Sequence, residues 1–275
     1  MLGMPYMFII FRIFHIKNLV YACHDFIDHL HIKKRGLIKY YKSFIFKNFQ
    51  NFQLFSQSQH QLFKSKYKNK HTFQASLCLK DFGPSMQSPP DDKIIFTFFG
   101  TIRENKGLNY LIEAGNILAS KYKNQFIIRI YGYHNNWEST YASHIKDYSI
   151  FDLNIQHIPN EDIPNLMSST HYIILPYLDV TQSGPLLIAY NYKTPVIASD
   201  LPGFKEYIQD KKTGFLFEAQ NSKALADIMA NCIDQKERYT EIKESLTAFV
   251  NNKLTTKAIS QKYIEYFDTF NKNKR

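Results

Sequence analysis

At 275 residues, with 44% apolar and 16% aromatic side chains, the chain can bury one large hydrophobic core or two modest ones, as a globular protein does. Cys23, Cys78 and Cys232 lie far apart with no CxxC pair, which excludes a disulfide framework or zinc knuckle and points to a reducing, cytosolic compartment. The formal charge of +10 is uneven: residues 1–90 hold 13 Lys+Arg against Asp25, Asp28 and Asp81, whereas residues 91–275 hold 21 of each sign.

The chain opens with the apolar stretch MPYMFIIFRIF (4–14), which Arg12 interrupts and which is shorter than the ~20 residues that span a bilayer. A buried strand is expected there, with a role at a membrane surface as the second reading. Residues 1–90 also carry six of the ten histidines, so this basic third could face phosphate, nucleic acid or acidic lipid, or simply be a solvated face. The segment GPSMQSPPDDK (83–93), with its glycine and three prolines, continues neither a helix nor a central strand, and a domain boundary is placed in it.

Beyond it, strands are predicted at KIIFTFFG, QFIIRIYG, NIQHI, YIILPY and PVIAS. Helices are predicted at LNYLIEAGNILASKY, around ESTYASHIKDYS, and at EDIPNLMSS and PLLIAYNY. This alternation predicts a parallel, doubly wound sheet with helices on both faces. Three more helices follow: SKALADIMANCI, RYTEIKESLTAFV and TTKAISQKYIEYFDTF. In the last, Ile259, Tyr263, Tyr266 and Phe270 share one face and are expected to pack into a core.

Ligands of such sheets bind outside the carboxyl ends of the strands, so the loops there carry the chemistry. In FFGTIRENKGLNYL, Arg103 and Lys106 lie between Gly100 and a helix opening near Gly107, an arrangement suited to a phosphate or diphosphate. The absence of GxxxxGK[ST] excludes a Walker P-loop. In PYLDVTQSGPLL, Ser183 or Thr181 can cap a helix, Gly184 lets a ligand approach the backbone, and Pro185 takes a first-turn position that needs no amide hydrogen. A capped helix alone accounts for Ser183 and Pro185 but gives Asp179 and Gln182 no task. In HIPNEDIP, Asn160 is the expected cap of a turn that could line a pocket for a flat ring.

These loops, in this order, together with TPVIAS, PGFKE and TGFLF, resemble the nucleotide-binding C-terminal domain of a family 4 glycosyltransferase of the GT-B fold over residues 94 to about 235. The resemblance implies transfer of a sugar from a nucleotide diphosphate donor, with retention at the anomeric carbon and with neither metal nor cofactor. Arg103 and Lys106 would neutralise the leaving diphosphate. Gly100, Thr101, Asn160, Asp179, Thr181, Gln182, Ser183, Gly184 and Pro185 would bind the donor. Many members carry two glutamates eight positions apart, where this chain has Val180 and Ile188, so Gln182, Ser183 and Asp179 are expected to stand in for them. LVYACHDFIDH resembles the acceptor-domain segment whose histidine lies against the donor sugar, which would make His24 catalytic; the alternative is a buried, capped histidine.

The expected fold is therefore α/β of GT-B type. A complete C-terminal doubly wound domain covers 89–255, an incomplete N-terminal Rossmann-like acceptor-side domain covers 1–88, and a helix over 256–275 crosses back to the latter. A full N-terminal domain would want ~120 to 150 residues, so its opening strands are expected to be missing, through truncation, an upstream start or loss of acceptor binding. The expected activity is transfer to a lipid-linked or polysaccharide acceptor at the cytoplasmic face of a membrane. An anionic membrane surface is a further partner considered for residues 1–90, and nucleic acid is not the expected one. The rival readings are a nucleotide-sugar epimerase and a degenerate, non-catalytic nucleotide-sugar or nucleic-acid binding protein.

Overall fold

The computed structural model describes residues 19–24, 26 and 35–272. The strand expected over residues 4–14 lies outside them. The chain forms two compact units, Met1–Ser76 with Ile259–Arg275, and Leu77–Ala258.

In the first unit, β1 (Val20–Cys23), β2 (Asn51–Leu54) and β3 (His71–Gln74) form a parallel three-stranded sheet in that order. Helices α1 (Arg35–Asn48) and α2 (Gln57–Lys66) make the crossovers. Phe26, Phe46, Phe52 and Phe63 fill the core, with ring centroids 4.8 Å apart for Phe52 and Phe63 and 5.1 Å for Phe26 and Phe63. Ser56 caps α2 by accepting from the Gln59 N–H. On the C-terminal helix, Tyr266 stacks on Phe73 at 4.2 Å, and the Tyr263 hydroxyl accepts from Gln53. Ile259 is buried and the two tyrosines are half-buried, so this stretch of helix is part of the first unit's packing.

The second unit holds the six-stranded parallel sheet. In chain order its elements are β4 (Ile94–Phe99), α3 (Leu108–Tyr122), β5 (Phe126–Tyr131), α4 (Trp137–Thr140), β6 (Phe151–Asn154), α5 (Ile163–Ser168) and β7 (Tyr172–Leu175). There follow α6 (Gly184–Asn191), β8 (Val196–Ser199), α7 (Pro202–Lys205), β9 (Gly214–Phe217), α8 (Ser222–Asp234) and α9 (Arg238–Lys253). The C-terminal helix, α10 (Thr256–Lys272), belongs from Ile259 on to the first unit. The strand order is β6-β5-β4-β7-β8-β9. Strands β4, β7 and β8 are buried along their whole length, as continuous apolar runs covered on both faces must be. One core cluster lies under α3 and α8, the other under α5, α6 and α9.

Three local expectations are corrected. The helix around 138–149 is one turn, α4, followed by two 3-10 turns. Its serines and Asp147 bond the local backbone instead: Ser139 Oγ donates to Asn136 O, and Asp147 accepts from Ser149 N–H. The strand expected at NIQHI sits earlier, at Phe151–Asn154, because the pairing of β5 with β6 ends at Tyr131 opposite Asn154. Chain 83–93 has neither helix nor strand, yet the division between units falls ahead of it, after Ser76. Leu77, Leu79 and Phe82 already pack on the second unit's core, and the Phe82 N–H donates to the Tyr192 hydroxyl at 3.0 Å.

Candidate functional site

Strand order reverses between β4 and β7, which pair only as far as Thr97 opposite Ile173, and ligands of such sheets bind beyond the carboxyl ends at this switch point. Two loops meet there. The Gly100–Gly107 loop follows β4, and Gly107 takes the left-handed φ of 61° that turns the chain into α3. A Cβ on Gly107 would collide with the Pro176 carbonyl oxygen, so glycine is what lets the β4 loop rest against the β7 loop. Leu178 N–H donates to Asn105 O at 2.9 Å and fixes the pair.

Lys106 sits at this junction. Its ammonium lies 3.6 Å from the centre of the Tyr177 ring. Burial, and then the neighbouring Arg103 guanidinium, lower its pKa to about 8. Arg103 itself is exposed and heads the 3-10 turn Glu104–Lys106. Glu104 of the same turn is ion-paired with neither cation among the described residues and lies near Tyr141, so the two cations, one of them partly stripped of water, suit an added anion.

Tyr177 links this loop to the next helix, since its buried hydroxyl bonds Ser183. Ser183 is the N-cap of α6 and accepts from the Leu186 N–H at 3.3 Å. Gly184 and Pro185 open the helix, and Pro185 Cγ would lie 3.4 Å from a Cβ on Gly100. Gly203 presses on this stretch from α7: a Cβ there would come within 2.8 Å of Val180 O. The structure thus brings together Gly100, Arg103, Lys106, Ser183, Gly184 and Pro185, with Thr101 exposed on the same loop.

Gln182 is half-buried, and its Nε2 is closed off from solvent with no hydrogen-bond partner. An amide left in that state costs about 1–3 kcal/mol. Asp179 and Thr181 are half-buried and engaged with neighbours, while Val180 is half-buried and Ile188 buried in the core beneath the helix. Ile188 is therefore a packing residue, turned into the apolar cluster.

Two expected residues stand differently. Asn160 is not a cap: it is the exposed first residue of a 3-10 turn whose cap position is Pro159, with no side-chain capping bond, because Pro159 already provides the extended entry. His24 is exposed and stacked on Phe55 at 4.3 Å in the first unit, so it is not a buried, capped histidine. Among the described residues no cluster of three or more His, Cys, Asp or Glu could hold a metal ion. No described helix is long and apolar enough to cross a membrane. Sequence reasoning passed over Tyr177, whose signal was an aromatic residue just past a strand-ending proline.

Comparison with solved structures shows the same fold in several of them. Anabaena HepE in complex with UDP superposes with a TM-score of 0.77 at 19% identity, covering 95% of this chain and 74% of HepE. Sucrose-phosphate synthase from Thermosynechococcus elongatus gives 0.74 at 16% identity, over 96% and 71% of the two chains. S. aureus TarM in complex with Fondaparinux, alpha-GlcNAc-glycerol and UDP gives 0.73 at 18% identity; 90% of this chain spans only 50% of TarM. No curated protein matches the chain in sequence. The family profile described as glycosyl transferases group 1 matches residues 84–248, the whole of the six-stranded sheet and both site loops, and the chain belongs to that family.

Proposed function

We propose that the chain is a retaining, metal-independent glycosyltransferase of the family 4 type, of the TQSG variant. Its donor is a nucleoside diphosphate sugar and its acceptor a lipid-linked or polysaccharide glycan on the cytoplasmic side of a membrane. The observation that carries this reading is the meeting of Arg103, Lys106 and the N-terminus of α6 at the switch point of the sheet. In sugar transfer the bond from the anomeric carbon to the terminal phosphate oxygen breaks, and both electrons go to that oxygen. Fixed cations and the positive end of a helix stabilise the charge that develops there. UDP in the HepE and TarM structures supports a uridine nucleotide as the first probe.

Gln182 would contact the sugar, since its amide nitrogen has no partner in the protein alone, and Asp179 and Ser183 would complete that contact. Thr101, Thr181 and Asn160 are assigned to the donor, and His24 to the transfer step, on the resemblance alone. The basic surface of α1 and α2, with exposed Lys47, Lys64 and Lys66, suits an anionic membrane surface, an attraction that added salt screens. A second reading, a donor-binding protein without turnover, is favoured by one observation: Ile188 is buried where many relatives place a carboxylate.

Thermal denaturation with UDP, GDP, ADP and CDP tests the site, because a ligand that binds only the folded state raises its stability. One of the four is expected to raise the melting temperature, and Arg103→Ala with Lys106→Ala to abolish most of that rise. Equal stabilisation of the double variant would refute the site. Release of nucleotide from a bound donor separates the enzyme from the binding protein.

A further inference from the structure

Lys80 precedes the proline-rich stretch and belongs to the same compact unit as the site loops. Leu77, Leu79 and Phe82 of its segment pack onto the apolar core, while Cys78 and Lys80 are exposed. The segment is anchored at the far end of α6. Phe82 N–H donates to the Tyr192 hydroxyl, the Tyr192 hydroxyl donates to Gly83 O at 2.9 Å, and Asn191 Nδ2 donates to Asp81 at 3.2 Å. From there the Lys80 arm reaches to the opposite end of the helix, where its ammonium lies 3.4 Å from the position a Cβ on Gly184 would take.

The neighbouring carboxylate does not hold it. Asp81 accepts from Gly83 N–H at 3.0 Å and from Asn191, and among the described residues Lys80 forms no ion pair. The first turn it reaches presents backbone N–H donors, the positive end of a helix, and offers a lysine no carboxylate. Leu186 N–H is taken by Ser183 Oγ, and Pro185 has no N–H, which leaves the N–H of Gly184, the residue the ammonium approaches, as the uncapped donor of the turn. The Lys80 ammonium thus lies against the positive end of α6, and no described carboxylate pairs with it there.

We propose that Lys80 is a third cation of the donor site, which reaches along α6 to hold the terminal phosphate of a nucleoside diphosphate against the Gly184 N–H, opposite Arg103 and Lys106. The proposal rests on the donor reading above. It assigns a binding contact to a residue from the segment that leads into the second unit, outside the two loops that form the rest of the site.

The test is calorimetric titration of the full chain with whichever of UDP, GDP, ADP and CDP stabilises it, and with the matching monophosphate. Lys80→Ala is expected to weaken the diphosphate about tenfold to a hundredfold, the scale of one charge-assisted hydrogen bond, and the monophosphate no more than about threefold on the same scale. Lys80→Arg should restore most of the loss. Because Lys80 is exposed and unpaired, the melting temperature without ligand should not move. Unchanged diphosphate affinity in Lys80→Ala, with affinity lost in the Arg103→Ala, Lys106→Ala protein, would overturn the inference and leave the donor reading standing. Equal loss for mono- and diphosphate would overturn the assignment to the terminal phosphate. If none of the four nucleotides binds the parent protein, the donor reading fails, and the inference with it.

Discussion

The Lys106 ammonium lies 3.6 Å above the Tyr177 ring, in a position where burial and Arg103 both disfavour its charge. The ring face attracts a cation, yet desolvation wins and the lysine titrates at about 8 in the fold against 10.5 ordinarily. Between those values the unfolded chain binds more protons than the native one, so stability rises with pH across the window from about 8 to 10.5. Below it the folded protein bears the full cost of the charged group.

A bound diphosphate reverses this preference, because an anion beside the ammonium raises its pKa again. Nucleotide binding should therefore take up a proton above pH 8, and affinity should fall as pH rises through the same window. Calorimetry at pH 8.5 in two buffers of different ionisation heat measures the uptake. A proton count that stays the same in the Lys106→Ala protein would remove Lys106 as its source.

Gly107→Ala should destabilise the second unit by at least roughly 1–3 kcal/mol, the combined scale of a left-handed non-glycine residue and an overpacked contact. The added methyl meets the Pro176 carbonyl, which is backbone and has nowhere to turn. Urea denaturation reads the loss. Nucleotide stabilisation should shrink as well, because moving Pro176 moves the ring under Lys106. A variant as stable as the parent would mean that the two loops are not in contact.

The sheet of the second unit was legible because its strands are short apolar runs between amphipathic helices; α3 spans Leu108–Tyr122 as its periodicity predicts. The placement of Arg103, Lys106 and Ser183 was legible for a related reason, each being a polar residue where a strand-end loop gives way to a helix. The segment 138–149 failed because its hydroxyls and Asp147 bond locally, which hydrophobic spacing does not register. Strand β9 was quoted only as a motif, since four residues of TGFLF have no periodicity to read. Lys80 was illegible for a stronger reason: its place depends on Tyr192 and Asn191, more than a hundred residues away in the chain.

Ser183→Ala removes the acceptor for the Leu186 N–H and the partner of the Tyr177 hydroxyl. A lost cap costs about 0.5–2 kcal/mol, and the buried tyrosine hydroxyl left without a partner pushes the loss toward the upper end. Ser183→Thr should recover most of it. Chemical denaturation of the two variants side by side decides the matter: equal losses would mean that bulk at this position, and not the hydroxyl, is what α6 requires.

Gln182 separates helix punctuation from donor binding. Its Nε2 has no partner, so Gln182→Ala removes an unsatisfied group along with some packing, and the two effects oppose each other. The melting temperature of the free protein should therefore stay nearly unchanged. If the amide turns toward the sugar of a bound donor, its loss should weaken an intact nucleotide sugar about tenfold or more, the scale of one hydrogen bond to a buried group, and leave the bare nucleoside diphosphate almost untouched, because Arg103 and Lys106 still hold the phosphates. Titration of the variant with both ligands gives the ratio directly. Parallel weakening of both would place Gln182 at the phosphates, and unchanged affinity for both, in a well-folded variant, would reduce TQSG to the start of a helix.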